Sequence, residues 1–555
     1  MNHAAKFAIL WLALGTACAS PTPPSQLHQP DDAFAALLAS STDLGPADPA
    51  RQVQVVLTLQ DPAAGARAAR LKATYTPGSP DFGQPMTPAE YDRTFGPDRA
   101  QVDTLSAELR NHNLSSDWGP GDTFLAVSGA VALIDQLFAT AVHDYRAKSG
   151  RRFYASASDP RIPASLQPQV TGAAHLTDYG LPATRNVPPG GLKPADLAVA
   201  YDYKPLRDQG LDGSGEQVVF MEIDGFDQAD LDTFNAKFDL PKTTPTIQRG
   251  PSNLPPQGET IMDLEVVHAI APGAGLTLYS TKPTSGGTWL NFESQMVDSN
   301  PGAVISISLG GCEPAYGRSF ASAEKAIFDK AAQLGESVFV ATGDSGGYTC
   351  LTSDFGALPG DKYVGASAPA VYPGVTAVGG TRLSLRADNT YLAEQVWEEP
   401  AVTAGGGGAV SVYFPRPDWQ AGPGVDNQYN PQQRRSIPDV AADADPASGV
   451  AIFGGGAWGQ GGGTSQAAPL WAAMAVLVNQ YLKKQGQKPI GFANPALYAL
   501  AAGKPPFPPY HDVVTGTNLV FPATPGYDLA SGLGTPDAYN LARDLEAYQK
   551  NGGRV

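Results

Sequence analysis

Positive charge is in short supply in this chain. Lys and Arg number 37 against 54 Asp and Glu, for a net charge of -17, so no basic face is available to hold nucleic acid. Charged residues make up only 16% of 555 positions and apolar ones 42%, so the chain buries a core and divides into two or more domains. No Gly-Lys-Ser/Thr phosphate loop occurs. The glycine runs Gly405 to Gly408 and Gly454 to Gly463 lack the lysine that would make one, and nucleotide binding is excluded with it. Histidine is scarce at 7 and cysteine at 3, whereas Gly at 61 and Pro at 50 demand turns and loops rather than a helical bundle.

The N-terminus carries the apolar run Phe7 to Leu14, too short to cross a bilayer, behind Lys6 and ahead of the small residues Gly15 to Ala19. That pattern is an export signal over residues 1–19, cut after Ala19. Cleavage before Cys18 with lipid attachment is the alternative, so the expected location is secreted or periplasmic, with a lipid anchor at Cys18 open and no membrane span. Cys312 and Cys350 then remain as an even pair in an oxidising compartment, and a disulfide is expected; two buried free thiols are the alternative.

Residues 31–178 read as an α+β unit, one sheet covered by helices. Gln52 to Gln60 and Phe124 to Val127 are strand-like, Thr87-Pro88-Ala89-Glu90 is a capping box, and Asp98 opens a helix with Gln101 as its box partner. Val131, Ile134, Leu137 and Phe138 follow at helical spacing. Gly150 to Lys193 lacks periodicity and reads as an exposed connector, with the probable processing site in 179–193. From residue 194 to 555 the pattern changes. Apolar runs at Val218 to Ile223, Leu276 to Tyr279, Val304 to Leu309, Val338 to Ala341 and Val375 to Val378 alternate with helical segments. This is the pattern of a parallel sheet with helices on both faces, whose chemistry belongs at the carboxyl ends of its strands.

Gly461 to Pro469 delivers Ser465 to the start of an apolar helix, where free N–H groups and the helix dipole suit a nucleophile; a plain helix cap fits as well. Only His268 and His511 stand where an imidazole could serve this domain, and neither is in a His-Gly-Thr setting. Glu259 and Asp263 are four apart among apolar neighbours, so they share one face of a buried helix and push each other apart in pKa. A capping Glu with a surface Asp is the alternative. Asp344 ends the apolar strand Val338 to Ala341 in a tight turn, which it could also simply brace.

Taken together these pieces resemble the sedolisin family of serine-carboxyl peptidases, above all its kumamolisin-like branch. They are Gly-Glu-x-x-x-Asp at 258–263, Ser-Ile-Ser-Leu-Gly at 306–310, Gly-Asp-Ser-Gly at 343–346, Gly-Thr-Ser-x-x-x-Pro at 463–469 and His511-Asp512-Val513 with Gly526 to Gly534. Ser79 to Gly83, Met86-Thr87-Pro88 and Phe95-Gly96-Pro97 resemble the family's activation propeptide. The resemblance implies a subtilisin-like fold and an acid endopeptidase made as a zymogen, inhibited by its own propeptide and acting on proteins or peptides. By position it makes Ser465 the nucleophile, Glu259 its base, Asp263 the residue that orients Glu259, and Asp344 the oxyanion donor. It lays substrate along Ser306, Ile307, Ser308, Leu309 and Gly310, with Leu309 where some relatives carry an aromatic. It also implies one Ca²⁺ held by Asp512 and Asp528 with the carbonyls of Val513, Thr524 and Gly526. A tripeptidyl exopeptidase of the same family, or an inactive peptide-binding relative, is the other reading.

Overall fold

The computed structural model describes residues 38–555 except 77, 148–151, 159, 168, 175, 178–190, 250–253, 283–284 and 351–363. The export signal, Cys18 and, except for 191–193, the segment expected to hold the processing site lie outside these residues.

Among the described residues the N-terminal lobe contains two sheets, not the one expected. Ser115–Asp117, Phe124–Ala130, Gln52–Leu59 and Val170–Ala173 form the larger; Thr42–Pro46, Val142–Arg146 and Arg152–Ser156 form the smaller. Two of these strands lie in the stretch beginning at Gly150 that reads as connector. They are only four and five residues long, too short to register as a pattern, yet Phe153, Tyr154, Ala155 and Val170 are buried. Helix Pro88–Phe95 carries its capping box, with the Glu90 N–H donating to Thr87 Oγ1 at 3.3 Å and the Thr87 N–H to Glu90 Oε2 at 2.9 Å. Asp98 caps its helix by accepting from the Ala100 N–H at 3.0 Å, so Gln101 is not the partner expected. Val102, Leu105, Leu109, Ile134 and Phe138 meet the inner face of Gln52–Leu59 in this lobe's own core.

The outer face of the larger sheet rests on two helices of the second domain, Gly286–Ser299 and Glu313–Gln333. Ser285 Oγ donates to Gln54 Oε1 at 2.6 Å, and Lys330 Nζ reaches Pro120 O at 2.9 Å, Asp298 Oδ1 at 2.7 Å and Asp122 Oδ1 at 3.6 Å. The smaller sheet lays Tyr145, Phe153 and Ala155 against Cys312 and Cys350, whose sulfurs are bonded.

The second domain is built on an eight-stranded sheet. Its strands lie in the order Tyr391–Val396, Thr376–Leu385, Ser337–Ala341, Val304–Ile307, Gln217–Glu222, Gly275–Ser280, Thr246–Arg249, and Val440–Asp443 also pairs with Thr376–Leu385. Every pairing is parallel except that of Tyr391–Val396. Strands buried on both faces need no alternation, which is why they read as continuous apolar runs. Helix Thr464–Lys484 crosses one face almost wholly buried, and the Trp471 indole donates to Ala441 O at 2.8 Å. Parallel strands place their carboxyl ends together. Glu222, Ile307 and Ala341 therefore end side by side beneath the start of that helix and of helix Glu259–Ile270.

Candidate active site

Ser465 lies inside its helix, not at the cap. The cap is Gly463, with φ +83° and no side-chain capping bond. A Cβ at Gly463 would stand 2.7 Å from Asp344 Oδ2, so glycine is required twice, by the backbone and by this carboxyl. Pro469 has no N–H, which leaves the Ser465 carbonyl without its partner one turn on. Ser308 fills the gap: its Oγ lies 3.1 Å from Ser465 O and 2.6 Å from Asp263 Oδ2. In return the Ser465 hydroxyl donates to Ser308 O at 3.3 Å.

Glu259 is the first residue of its helix, where the dipole favours a carboxylate. Its cap Gly258 has φ +109° and offers no side chain, and a residue distant in sequence takes over. Asp224 accepts the N–H groups of Gln257 at 2.8 Å and Thr260 at 3.1 Å, as well as the Thr260 hydroxyl. Glu259 is half-buried in the cleft wall, and its Oε1 is shielded from solvent with no protein partner. Asp263, one turn on, is fully buried. Behind it stands Glu222, also fully buried, whose carboxyl meets that of Asp263.

Burial is the main force on all three carboxyls. It raises Glu222 and Glu259 well above the ordinary range, aided by mutual repulsion, while the Ser465 hydroxyl pulls Glu259 back. Asp263 is pushed up to about 8 by burial, against the hydroxyl of Ser308 and the carboxyl of Glu222. Three such groups cannot ionise together and titrate as a set. The hydroxyls of Ser465 and Ser308 favour charge on Glu259 and Asp263 respectively, whereas every neighbour of Glu222 favours its protonated form.

Asp344 follows strand Ser337–Ala341. Its Oδ1 accepts the Thr464 N–H at 2.7 Å and the Thr464 hydroxyl at 3.0 Å, and Thr464 Oγ1 in turn accepts the Gly343 N–H at 2.9 Å. Asp344 Oδ2 lies on the side of Gly463, whose Cβ position it would approach to 2.7 Å. For the oxyanion role that the family resemblance implies, truncating Asp344 to Ala is expected to cost about a hundred- to thousandfold in turnover, read as kcat on a peptide substrate.

The cleft has a volume of about 1070 Å³ and is lined by Glu259, Ser465, Asp344 and the segment Ser308 to Gly311. Ser306 and Ile307 do not reach it, contrary to the sequence reading. Their strand is hydrogen-bonded on both sides, so it has no edge to offer a peptide, and both residues are fully buried. Only Ser308, Leu309 and Gly310, beyond the sheet, can pair with one. Among the described residues no histidine lines the cleft. His268 is buried against Pro241 O, and His511 stacks on Tyr391.

Two residues escaped the sequence reading. Glu222 was visible as a carboxylate at the end of an apolar strand, an expensive position without a purpose. Ser308 appeared there only as part of a substrate strand, although its hydroxyl joins Asp263 to the backbone of Ser465. Ser308→Ala is expected to lower kcat more than it changes KM and to move the acid limb of the pH profile upward, with Ser308→Thr restoring both. A loss of thermal stability alone would make Ser308 a packing residue.

Asp512 and Asp528 converge on one loop. Asp512 Oδ2 accepts the Gly526 N–H at 2.9 Å; Asp528 accepts those of Thr524 at 2.7 Å and Ser531 at 2.8 Å. Ser531 Oγ bridges Val513 O and Asp528 Oδ1. Burial raises Asp528 to about 6, a cost that a cation would relieve. Among the described residues no three His, Cys, Asp or Glu gather as metal ligands. An ion here would therefore take two carboxylates and otherwise carbonyl or water oxygens, a set that fits Ca²⁺.

Residues 39–179 match the Pro-kumamolisin activation domain, and residues 251–491 match the Subtilase family. The chain is 32% identical to kumamolisin of Bacillus sp. (strain MN-32), over 79% of this chain and 82% of that one. It is 26% identical to Tripeptidyl-peptidase sed1 of Aspergillus fumigatus, over 84% of this chain and 88% of that one. The solved structure of Pseudomonas sedolisin, a serine-carboxyl proteinase complexed with two molecules of pseudo-iodotyrostatin, aligns with a TM-score of 0.57 at 28% identity, over 66% of this chain and 99% of that one. With a subtilisin-like domain behind an activation domain and a serine set among carboxyl groups, the chain belongs to the sedolisin family and is a serine-type peptidase.

Proposed function

We propose that the protein is an exported, acid-active endopeptidase made as a zymogen. The observation that carries this reading is the placement of the Ser465 hydroxyl beside Glu259 and Asp344, in a cleft with no histidine among its described lining residues. Ser465 Oγ attacks the scissile carbonyl as Glu259 takes its proton. Asp263, held by Ser308 and Glu222, keeps the Glu259 carboxyl in position and shares its charge. The carbonyl oxygen becomes an oxyanion, which accepts a hydrogen bond from protonated Asp344. Glu259 then returns the proton to the departing amine, and water releases the acyl group by the same steps.

Each role sets a pH limit. Glu259 must be ionised to act as base, and Asp344 can donate only while protonated. Both conditions hold together only between the loss of the carboxyl cluster's first proton and the loss of the Asp344 proton, a window we place in acid. The cleft extends well beyond Ser465, its lining including Leu309, Gly310 and Ser367 as well as Ile261, Ile452 and Trp458, which favours cleavage within a chain. The tripeptidyl reading requires the acyl side to close after three residues. Acidifying the purified zymogen to about pH 4 and digesting a long peptide separates the two readings by mass. Internal fragments are expected; a ladder of tripeptides would make it an exopeptidase, and an intact peptide would overturn the proposal.

We further assign Ca²⁺ to the loop of Asp512 and Asp528, with the carbonyls of Val513, Thr524 and Gly526. A bound ion would tie the C-terminal loop together by cancelling two neighbouring carboxylates. Chelation is expected to lower the unfolding temperature, since a site a hundredfold saturated contributes about 2.7 kcal/mol. An unchanged melting curve after chelation would count against the site.

A further inference from the structure

The glycines that lead to Ser465, Gly461 to Gly463, bring no side chain of their own to fix their course. Backbone bonds hold them instead: the Gly461 N–H donates to Val450 O at 2.6 Å and the Gly463 N–H to Ala444 O at 2.7 Å. Gln466, the residue after Ser465, is fully buried and grips the same two places. Its Nε2 donates to Asp443 O at 2.9 Å and to Asp443 Oδ2 at 3.0 Å, and its Oε1 accepts the Val450 N–H at 2.9 Å. Two glycines keep room for this amide. A Cβ would stand 2.7 Å from Gln466 Oε1 at Gly461, and 3.1 Å from it at Gly449. Asp443 is fully buried as well, and its Oδ1 is occupied by the Leu383 N–H at 3.2 Å and the Ser448 hydroxyl at 2.6 Å. An apolar side chain at 466 would therefore leave the Val450 N–H and an Asp443 oxygen unpaired in the interior.

The segment Gly449 to Ala451 has a second partner on its other edge. Leu192 lies parallel to Val450, its N–H donating to Gly449 O at 2.8 Å and its carbonyl accepting the Ala451 N–H at 2.8 Å. Gly191 before it has φ +108°, and a Cβ there would stand 2.3 Å from Ala451 N, so only glycine lets the chain lie this close. Lys193 after it opens helix Pro194–Ala200, its N–H donating to Asp196 Oδ2 at 2.9 Å. From Gly191 onward the chain is thus built into the second domain. Val450 sits between the two partners: its own N–H and carbonyl face Gln466 and Gly461, while its neighbours face Leu192.

We propose that Gln466 and the short strand of Gly191 and Leu192 position the nucleophile, and that the mature enzyme retains this strand. The proposal rests on Ser465 as the attacking residue. Gln466 fixes the start of the helix against Asp443 and Val450, and so fixes where Ser465 Oγ stands relative to Glu259. Leu192 fixes the segment that Gln466 holds. Neither residue lines the cleft, and both are positioning residues that act through the backbone of Ser465.

The test uses the full chain, activated in acid, with steady-state kinetics on one peptide and turnover counted per processed chain. Gln466→Leu keeps the size of the side chain and removes its three bonds. It is expected to lower kcat by about tenfold to a hundredfold, the effect of a small misplacement of a reacting group, with KM changed by no more than about twofold. Gln466→Glu keeps an acceptor for the Val450 N–H and in acid can donate a proton to Asp443, so it should restore most of kcat. Gly191→Val, which pushes Leu192 off Val450, should lower kcat in the same selective way. The mass of the mature chain should place its N-terminus at or before Gly191. An unchanged kcat in Gln466→Leu, a loss confined to KM or to the melting temperature, no rescue by Glu, or a fully active enzyme beginning after Leu192 would each overturn the inference while the peptidase reading stands. If Ser465→Ala kept its activity, both would fall.

Discussion

Ser465→Ala and Glu259→Gln are each expected to abolish self-processing of the acidified zymogen and to lower peptide turnover by roughly ten-thousandfold or more, the loss typical of removing one member of a cooperating triad. The two substitutions act differently. Ala removes the attacking oxygen, while Gln keeps the shape and hydrogen-bonding capacity of Glu259 but cannot accept a proton. Ser465 Oγ would still have Ser308 O as acceptor in the Gln variant, so the fold and the cleft should survive. Circular dichroism and inhibitor binding can confirm that. Because the residues act as a unit, the double variant should be little worse than either single one. A Glu259→Gln enzyme that kept a tenth of its activity would show that another group takes the proton.

The zymogen is also expected to be more stable in acid than at neutral pH, the reverse of common behaviour. Burial raises an unusual number of carboxyls: Asp263 to about 8, Glu265 to about 9, and Glu313 and Asp122 to about 7. Glu222, Glu293, Glu336 and Asp443 also stand well above their ordinary values, with burial the first cause in each. In the unfolded chain such groups lose their protons near pH 4. Between that point and their folded values the native state holds more protons than the unfolded state. Stability is therefore complete below about pH 4 and drains away as pH rises toward about 8. Measured on the Ser465→Ala zymogen, which cannot process itself, the unfolding temperature at about pH 4 should exceed that at about pH 7.5 by roughly 10 °C or more. A steady fall below pH 6 would mean that these carboxyls are ionised in the native state. Asp122 adds a corollary: docking of the N-terminal lobe buries it beside Lys330 and raises it, so this contact takes up a proton and does not drive release of the lobe as pH falls.

Much of this was legible in the chain itself, for physical reasons. Strands covered on both faces must be apolar throughout, which made Val218 to Ile223 and Val338 to Ala341 visible, and the glycine approach to Ser465 announced a helix start under constraint. What escaped depends on contacts between distant segments. Ser306 and Ile307 alternate like their neighbours, and only pairing on both edges shows them to be core. Nothing local to Asp224 indicates that it caps a helix beginning at Glu259. The strands Arg152–Ser156 and Val170–Ala173 are set by what they pair with, not by their own short pattern. Trp458 stands within the glycine run Gly454 to Gly463, and the aromatic side chains that support it come mostly from residues more than 200 positions away.

The central claim is that a serine is served here by carboxyl groups alone. The most direct measurement is kcat/KM of the activated enzyme against a single peptide from about pH 2 to about pH 9. The account predicts a maximum in acid, a falling limb as Asp344 and the remaining cluster protons are lost, and little activity at pH 8. A profile that rose through about pH 6.5 to a neutral or alkaline plateau, as an imidazole base would give, would contradict it.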